Sequence, residues 1–135
     1  MIEKSCGAIV YKKENDEFKY LLAYQNNGHY SFPKGHMEEN ETEQQTALRE
    51  IKEETNIDVE LDTNFRKSIS YFLESKGVMK EAVYFVATPT SFDLKNQEGE
   101  IEECSWNDYE TTKEKIEYAD IIEIFEEAVK YIKSK

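Results

Sequence analysis

Pro33 to Ile57 reads PKGHMEENETEQQTALREIKEETNI. Proline and glycine open it as a turn on Gly35, and the following residues favour a helix that starts around Asn40 to Thr42 and ends at Asn56. On that helix Glu50, Glu53 and Glu54 stand at i, i+3 and i+4, which sets three carboxylates along one edge. Like charges held that close repel unless a cation sits among them, and hard divalent cations take oxygen ligands of this kind. Thr46, Ala47, Leu48, Ile51 and Thr55 form the inward stripe expected to pin the acidic edge. Arg49 lies four residues before Glu53 and eight after Glu41. As a planar, always-charged donor it is suited to orient these carboxylates without binding metal itself.

Together these residues resemble the Nudix hydrolase box: Gly35, five residues, Glu41, seven residues, then Arg49, Glu50, Ile51, Glu53, Glu54 and Ile57. Asn56 stands where the box has glycine. That position is the left-handed C-cap of the helix, which asparagine tolerates better than other non-glycine residues, so the box should keep its shape at a small cost in stability. The competing reading of so many glutamates is a solvated helix face, or a helix that keeps the pattern without the activity.

Other features set limits. The chain has 135 residues, of which 39% are hydrophobic and 13% aromatic, enough for one domain over residues 1–135 with a real core. A net charge of −12 argues against an extended nucleic-acid surface but not against a small polyphosphate, because metal ions reverse the local sign of an acidic pocket. No apolar run approaches a membrane span, and MIEKSCGAIVYKK has no signal-peptide layout. Cys6 and Cys104 offer neither metal spacing nor a disulfide framework, which fits buried thiols in a cytoplasmic protein. Nothing in the sequence specifies an oligomeric state.

In chain order, strands are expected near Lys4–Tyr11 and Phe18–Tyr24, with QNNGHY as a loop carrying a surface histidine, His29. A short strand over Ile57–Leu61 and a turn at Asp62–Asn64 precede a long hairpin, Phe65–Leu73 with Glu81–Thr88. Ser91–Glu100 reads as a mobile loop and Glu102–Trp106 as a strand. A final helix over Ala119–Ile132 should bury Ile122, Phe125, Val129 and Ile132. Strands interrupted by one helix and closed by another form an α/β (α+β) domain. The resemblance implies the Nudix-type α/β/α sandwich, a mixed sheet between helices.

It also implies a chemistry. Breaking a phosphoanhydride requires neutralised phosphate oxygens, an in-line water and a group to take its proton. By the resemblance, Glu50, Glu53, Glu54 and the Gly35 carbonyl hold Mg²⁺, with Mn²⁺ as a substitute. Glu53 is one candidate base; Glu100 is another, or a further ligand, or a solvated loop acid. Phe32 to His36, Phe65 to Lys67, Tyr71, Lys80 and Ser105-Trp106 extend the resemblance to asymmetric diadenosine tetraphosphate hydrolases, which release ATP and AMP. On that likeness Lys34, His36 and Lys80 meet the polyphosphate while Tyr71 and Tyr118 stack the bases; packing in the sheet and capping of the last helix are the alternatives for the two tyrosines. Other readings are a Nudix enzyme for an oxidised nucleoside triphosphate, a nucleotide sugar or an RNA 5′ end, and a nucleotide-binding sensor without turnover.

Overall fold

A computed structural model describes residues 2–135. Strand β1 (Ile2–Glu14) lies at its centre. Its first part pairs in parallel with β6 (Val78–Pro89) and antiparallel with the short β4 (Lys34–His36), and its end pairs with β2 (Glu17–Gln25). Beyond β6 runs β5 (Val59–Leu73); beyond β2 lie β3 (Tyr30–Ser31) and β7 (Ile101–Asn107). The sheet is therefore mixed.

Both of its faces are covered, which is why Cys6, Ala8, Ile9 and Val10 are all fully buried instead of alternating in and out. Helix α1 (Glu43–Thr55) covers one face, where Ala47, Ile51 and Ile57 pack on Cys6, Ala8, Val10, Val83 and Phe85. Helix α3 (Ala119–Lys133) covers the other, with Phe125 against Tyr20, Phe32 and Tyr109 at ring separations of 4.9, 5.6 and 5.6 Å. This is the expected sandwich of a mixed sheet between helices.

Helix α1 is bounded by local chemistry. Thr42 caps it in a reciprocal box with Gln45: the Gln45 N–H donates to the Thr42 hydroxyl and the Thr42 N–H to the Gln45 side chain. At the other end Asn56 adopts φ 66°, ψ 11°, the left-handed cap expected where the box has glycine. Its side-chain amide also donates to the Asp93 carbonyl at 2.9 Å.

Several expectations are corrected. Leu48 is 41% exposed, because at helical spacing it falls past Thr55, on the flank of the buried stripe away from the acidic edge. Ile57–Leu61 and Phe65–Leu73 are not two strands parted by a turn; β5 runs through, with its register against β6 shifting between Asp62 and Lys67. On α3, Ile124 and Ala128 are more deeply buried than Ile122. Helix α2 (Tyr109–Lys115), too short for a clear periodicity, starts where the Asp108 carboxylate accepts from the Thr111 N–H at 2.8 Å. Among the described residues no helix is long and apolar enough to cross a membrane.

Candidate active site

Arg49 organises the acidic edge of α1. Its Nε and Nη2 donate to the two Glu41 oxygens at 2.6 and 3.0 Å, and its Nη1 to Glu50 at 2.8 Å and Glu53 at 3.2 Å. Nη2 also reaches the His36 carbonyl at 2.9 Å, tying the helix to β4. Glu41 further accepts from the Thr46 hydroxyl and the Glu38 N–H. The Arg49 bond, then these others, hold its carboxyl down at about 2. Glu41 is thus the anchor of the arginine, and the arginine in turn aims Glu50 and Glu53.

Glu50 and Glu54 point inward. A Cβ on Gly35 would stand 2.1 Å from the Glu50 carboxyl carbon, so that side chain lies flat against the glycine backbone. Gly35 is held in this place through β1: it pairs with Cys6, and a Cβ on neighbouring Gly7 would meet the Pro33 carbonyl at 2.0 Å. Glu54 is buried, and its Oε1 has no hydrogen-bond partner. Burial, then the Glu50 charge, push Glu54 up to about 8 despite Lys34 opposite. Glu50 is also raised, chiefly by burial, and the Glu100 charge acts in the same direction on both. An orphaned buried carboxylate oxygen among like charges, beside a glycine backbone, is a donor set that fits a hard divalent cation. Among the described residues no three acidic, histidine or cysteine side chains converge as a ready-made cage. Glu50 links the two sides, since it shares the Arg49 Nη1 with Glu53 and is the charge that acts most on the buried Glu54, so the three glutamates do not form a single cage as their spacing suggests.

Lys34 connects this edge to a cavity of about 410 Å³ on the α3 side of the sheet. Lys34 is sequestered enough that burial pushes its ammonium below the usual lysine value, and Glu54 and Glu50 counter that effect. Tyr71 and Tyr118 line the same cavity and are 47% and 56% exposed, unlike the packed Tyr84 on its floor. Tyr118 occupies the N-cap position of α3 but makes no side-chain cap, so its ring is not engaged in capping. Lys34, Tyr71 and Tyr118 are therefore brought together. His36 and Lys80 are not part of the lining: Lys80 pairs with Glu3 at 3.2 Å, and His36 lies near the same carboxylate. Lys80 nonetheless shares the cavity face, directly across the ladder from Tyr71.

His29, read from sequence as a surface residue, lines the cavity, contacts Glu117 and sits 6.2 Å from the Tyr118 ring. No local pattern links His29 to residues 88 positions away. Tyr84 was hidden for a different reason, since a strand tyrosine at an inward position reads as core. Cysteine chemistry has no place here: burial pushes the Cys6 and Cys104 thiols up to about 11.

The sequence profile of the NUDIX domain matches residues 1–127. The chain belongs to the Nudix family. It is 33% identical over 106 residues to the asymmetrical bis(5′-nucleosyl)-tetraphosphatase of Sus scrofa, covering 70% of this chain and 71% of that one. The Caenorhabditis elegans enzyme of the same name is 32% identical over 124 residues, 90% of each chain. A crystal structure of a C. elegans Ap4A hydrolase binary complex superposes with a TM-score of 0.90 at 24% identity, covering 98% of this chain and 99% of that one. This Nudix chain thus shares its whole fold with that structure.

Proposed function

We propose that this Nudix chain is a Mg²⁺-dependent hydrolase that cleaves diadenosine tetraphosphate asymmetrically to ATP and AMP. The observation that supports it most is Lys34, which lines an aromatic cavity on one side and faces Glu50 and Glu54 on the other. A base seated in that cavity leads its phosphates past an ammonium to the acidic helix. A volume of about 410 Å³ is in the usual range for a small-molecule site.

Each residue has a role in this reading. Glu50, Glu53, Glu54 and the Gly35 carbonyl would hold Mg²⁺, with Mn²⁺ as a substitute. When bound there, such a cation would neutralise charge on the phosphate oxygens and acidify water. Arg49 aims Glu50 and Glu53 and does not itself touch the substrate. Glu100 takes the proton of the attacking water; Glu53 is less suited because it already accepts from Arg49. Lys34 neutralises the chain next to the cavity, with Lys80 and His36 further along it. Tyr71 and Tyr118 offer exposed faces on which adenine stacks.

Product analysis of diadenosine tetraphosphate digested in ¹⁸O-labelled water tests this, because it reports both turnover and the phosphorus attacked. ATP and AMP as sole nucleotide products are expected. High turnover of triphosphates with none of the dinucleotide would overturn the substrate, and calorimetric binding without any product at saturating Mg²⁺ would overturn the activity. Glu53→Gln, which removes a charge at constant size, should lower kcat by about 10²-fold or more without changing the melting temperature.

A further inference from the structure

The segment after β6, residues 91–100, has no helix or strand, yet its last residue must be held still if it is to work at the acidic helix. Its start and middle are tied to the C-terminal end of α1. The Asn56 amide donates to the Asp93 carbonyl at 2.9 Å, the Lys95 N–H to the Thr55 carbonyl at 3.1 Å and the Gln97 N–H to the Glu54 carbonyl at 3.2 Å. Its end is tied elsewhere. Asn26, in the turn between β2 and β3, donates its backbone N–H to the Glu100 carbonyl at 3.0 Å and its side-chain Nδ2 to the Gly99 carbonyl. Gly99 is in the left-handed region at φ 88°, so the chain reverses there and the peptide between Gly99 and Glu100 sets where the Glu100 side chain points. Immediately afterwards the β2–β7 register shifts between Tyr24 and Gln25, an irregularity of the kind that re-aims side chains next to sites.

Asn26 is absent from the cavity lining, but its neighbours Gln25 at the end of β2 and Asn27 and His29 in the connection to β3 are in it. One short turn therefore forms a wall of the cavity and also grips the peptide that presents Glu100.

We infer that Asn26 is a positioning residue that holds Glu100 in place at the acidic helix from the turn that walls the aromatic cavity. The inference rests on the reading of Glu100 as a working group of the site and adds the device that aims it. Asn26 acts on catalysis only through Glu100 and contributes nothing to binding of the base. A misplacement of a reacting group by about 1 Å is enough to slow a reaction about 100-fold, so partial release of one of two clamps should slow it by about 10-fold.

The test is a double-mutant cycle on the full chain, with kcat and KM for diadenosine tetraphosphate at saturating Mg²⁺. Asn26→Ala should lower kcat about 10-fold with KM within twofold of the parent. Glu100→Gln should lower kcat by more, and adding Asn26→Ala to it should change kcat by less than twofold, since the two act as one unit. Asn26→Asp, which turns an oxygen toward the Gly99 carbonyl and keeps the turn, should match Asn26→Ala and serves where the alanine variant folds poorly. Normal turnover in Glu100→Gln would overturn the role of Glu100, and this inference with it. Impaired Glu100→Gln beside a normal Asn26→Asp, or full multiplicative losses in the double variant, would overturn the inference alone.

Discussion

Replacing Gly35 with alanine puts a methyl group where the Glu50 carboxyl now lies. The added Cβ would sit 2.1 Å from Cδ and 2.2 and 2.5 Å from the two carboxylate oxygens. Carbon atoms in contact settle at about 3.5 Å, so the carboxyl must retreat by about 1.4 Å. It can do so, because it is the far end of a flexible side chain, and stability should change by less than about 1 kcal/mol. Catalysis should not be spared: about 1 Å of misplacement corresponds to about 100-fold in kcat, or about 2.7 kcal/mol in the barrier. Gly7 is the contrast. A Cβ there meets the Pro33 carbonyl at 2.0 Å and the Lys34 Cα at 2.7 Å, both backbone, while Pro33 also accepts the Ala8 N–H. Gly7→Ala should therefore lose about 1–3 kcal/mol of stability through overpacking. Steady-state kinetics with denaturant unfolding on both variants separates the two effects. If Gly35→Ala turns over within about threefold of the parent, or loses activity only in proportion to unfolding, Glu50 is not held against Gly35 for catalysis.

Further outcomes follow from other parts of the structure. Tyr118→Ala should raise KM for the dinucleotide by about 10-fold and change kcat little, since stacking on an aromatic is worth about 1–3 kcal/mol per base; identical constants would remove Tyr118 from the base site. Asn56→Val should lower stability by about 1–3 kcal/mol, combining a β-branched residue at φ 66° with loss of the bond to Asp93, whereas Asn56→Gly should stay close to the parent in denaturant melts. Glu43 is held down at about 2, first by Arg66 and then by Lys4, against about 4.3 in an unfolded chain. Its contribution is complete above about pH 4.3 and is lost as pH falls toward 2, so Glu43→Gln should flatten stability over that interval; equal slopes for parent and variant would refute the pairing.

The acidic helix was legible because everything that shapes it lies within a few residues. The inward stripe, right at Thr46, Ala47, Ile51 and Thr55 and wrong at Leu48, and the i, i+3, i+4 glutamates are local spacings that a helix turns directly into faces. So was the left-handed cap at Asn56, since it directly follows the helix where the box has glycine and asparagine tolerates that conformation. Where each carboxylate points was not local: Arg49, anchored by Glu41 and reaching β4, holds Glu50 and Glu53, while Glu54 is buried with one oxygen unpartnered. The cavity was still less accessible to inspection of the chain. Lys34, Tyr71 and Tyr118 come from a short strand, an edge strand and a helix start, and they meet because β1 pairs in parallel with β6 while α3 packs across the same face. Short-range spacing carries no information about which distant strands become neighbours; that depends on burying two apolar faces of one sheet at once, a condition that only the assembled molecule satisfies.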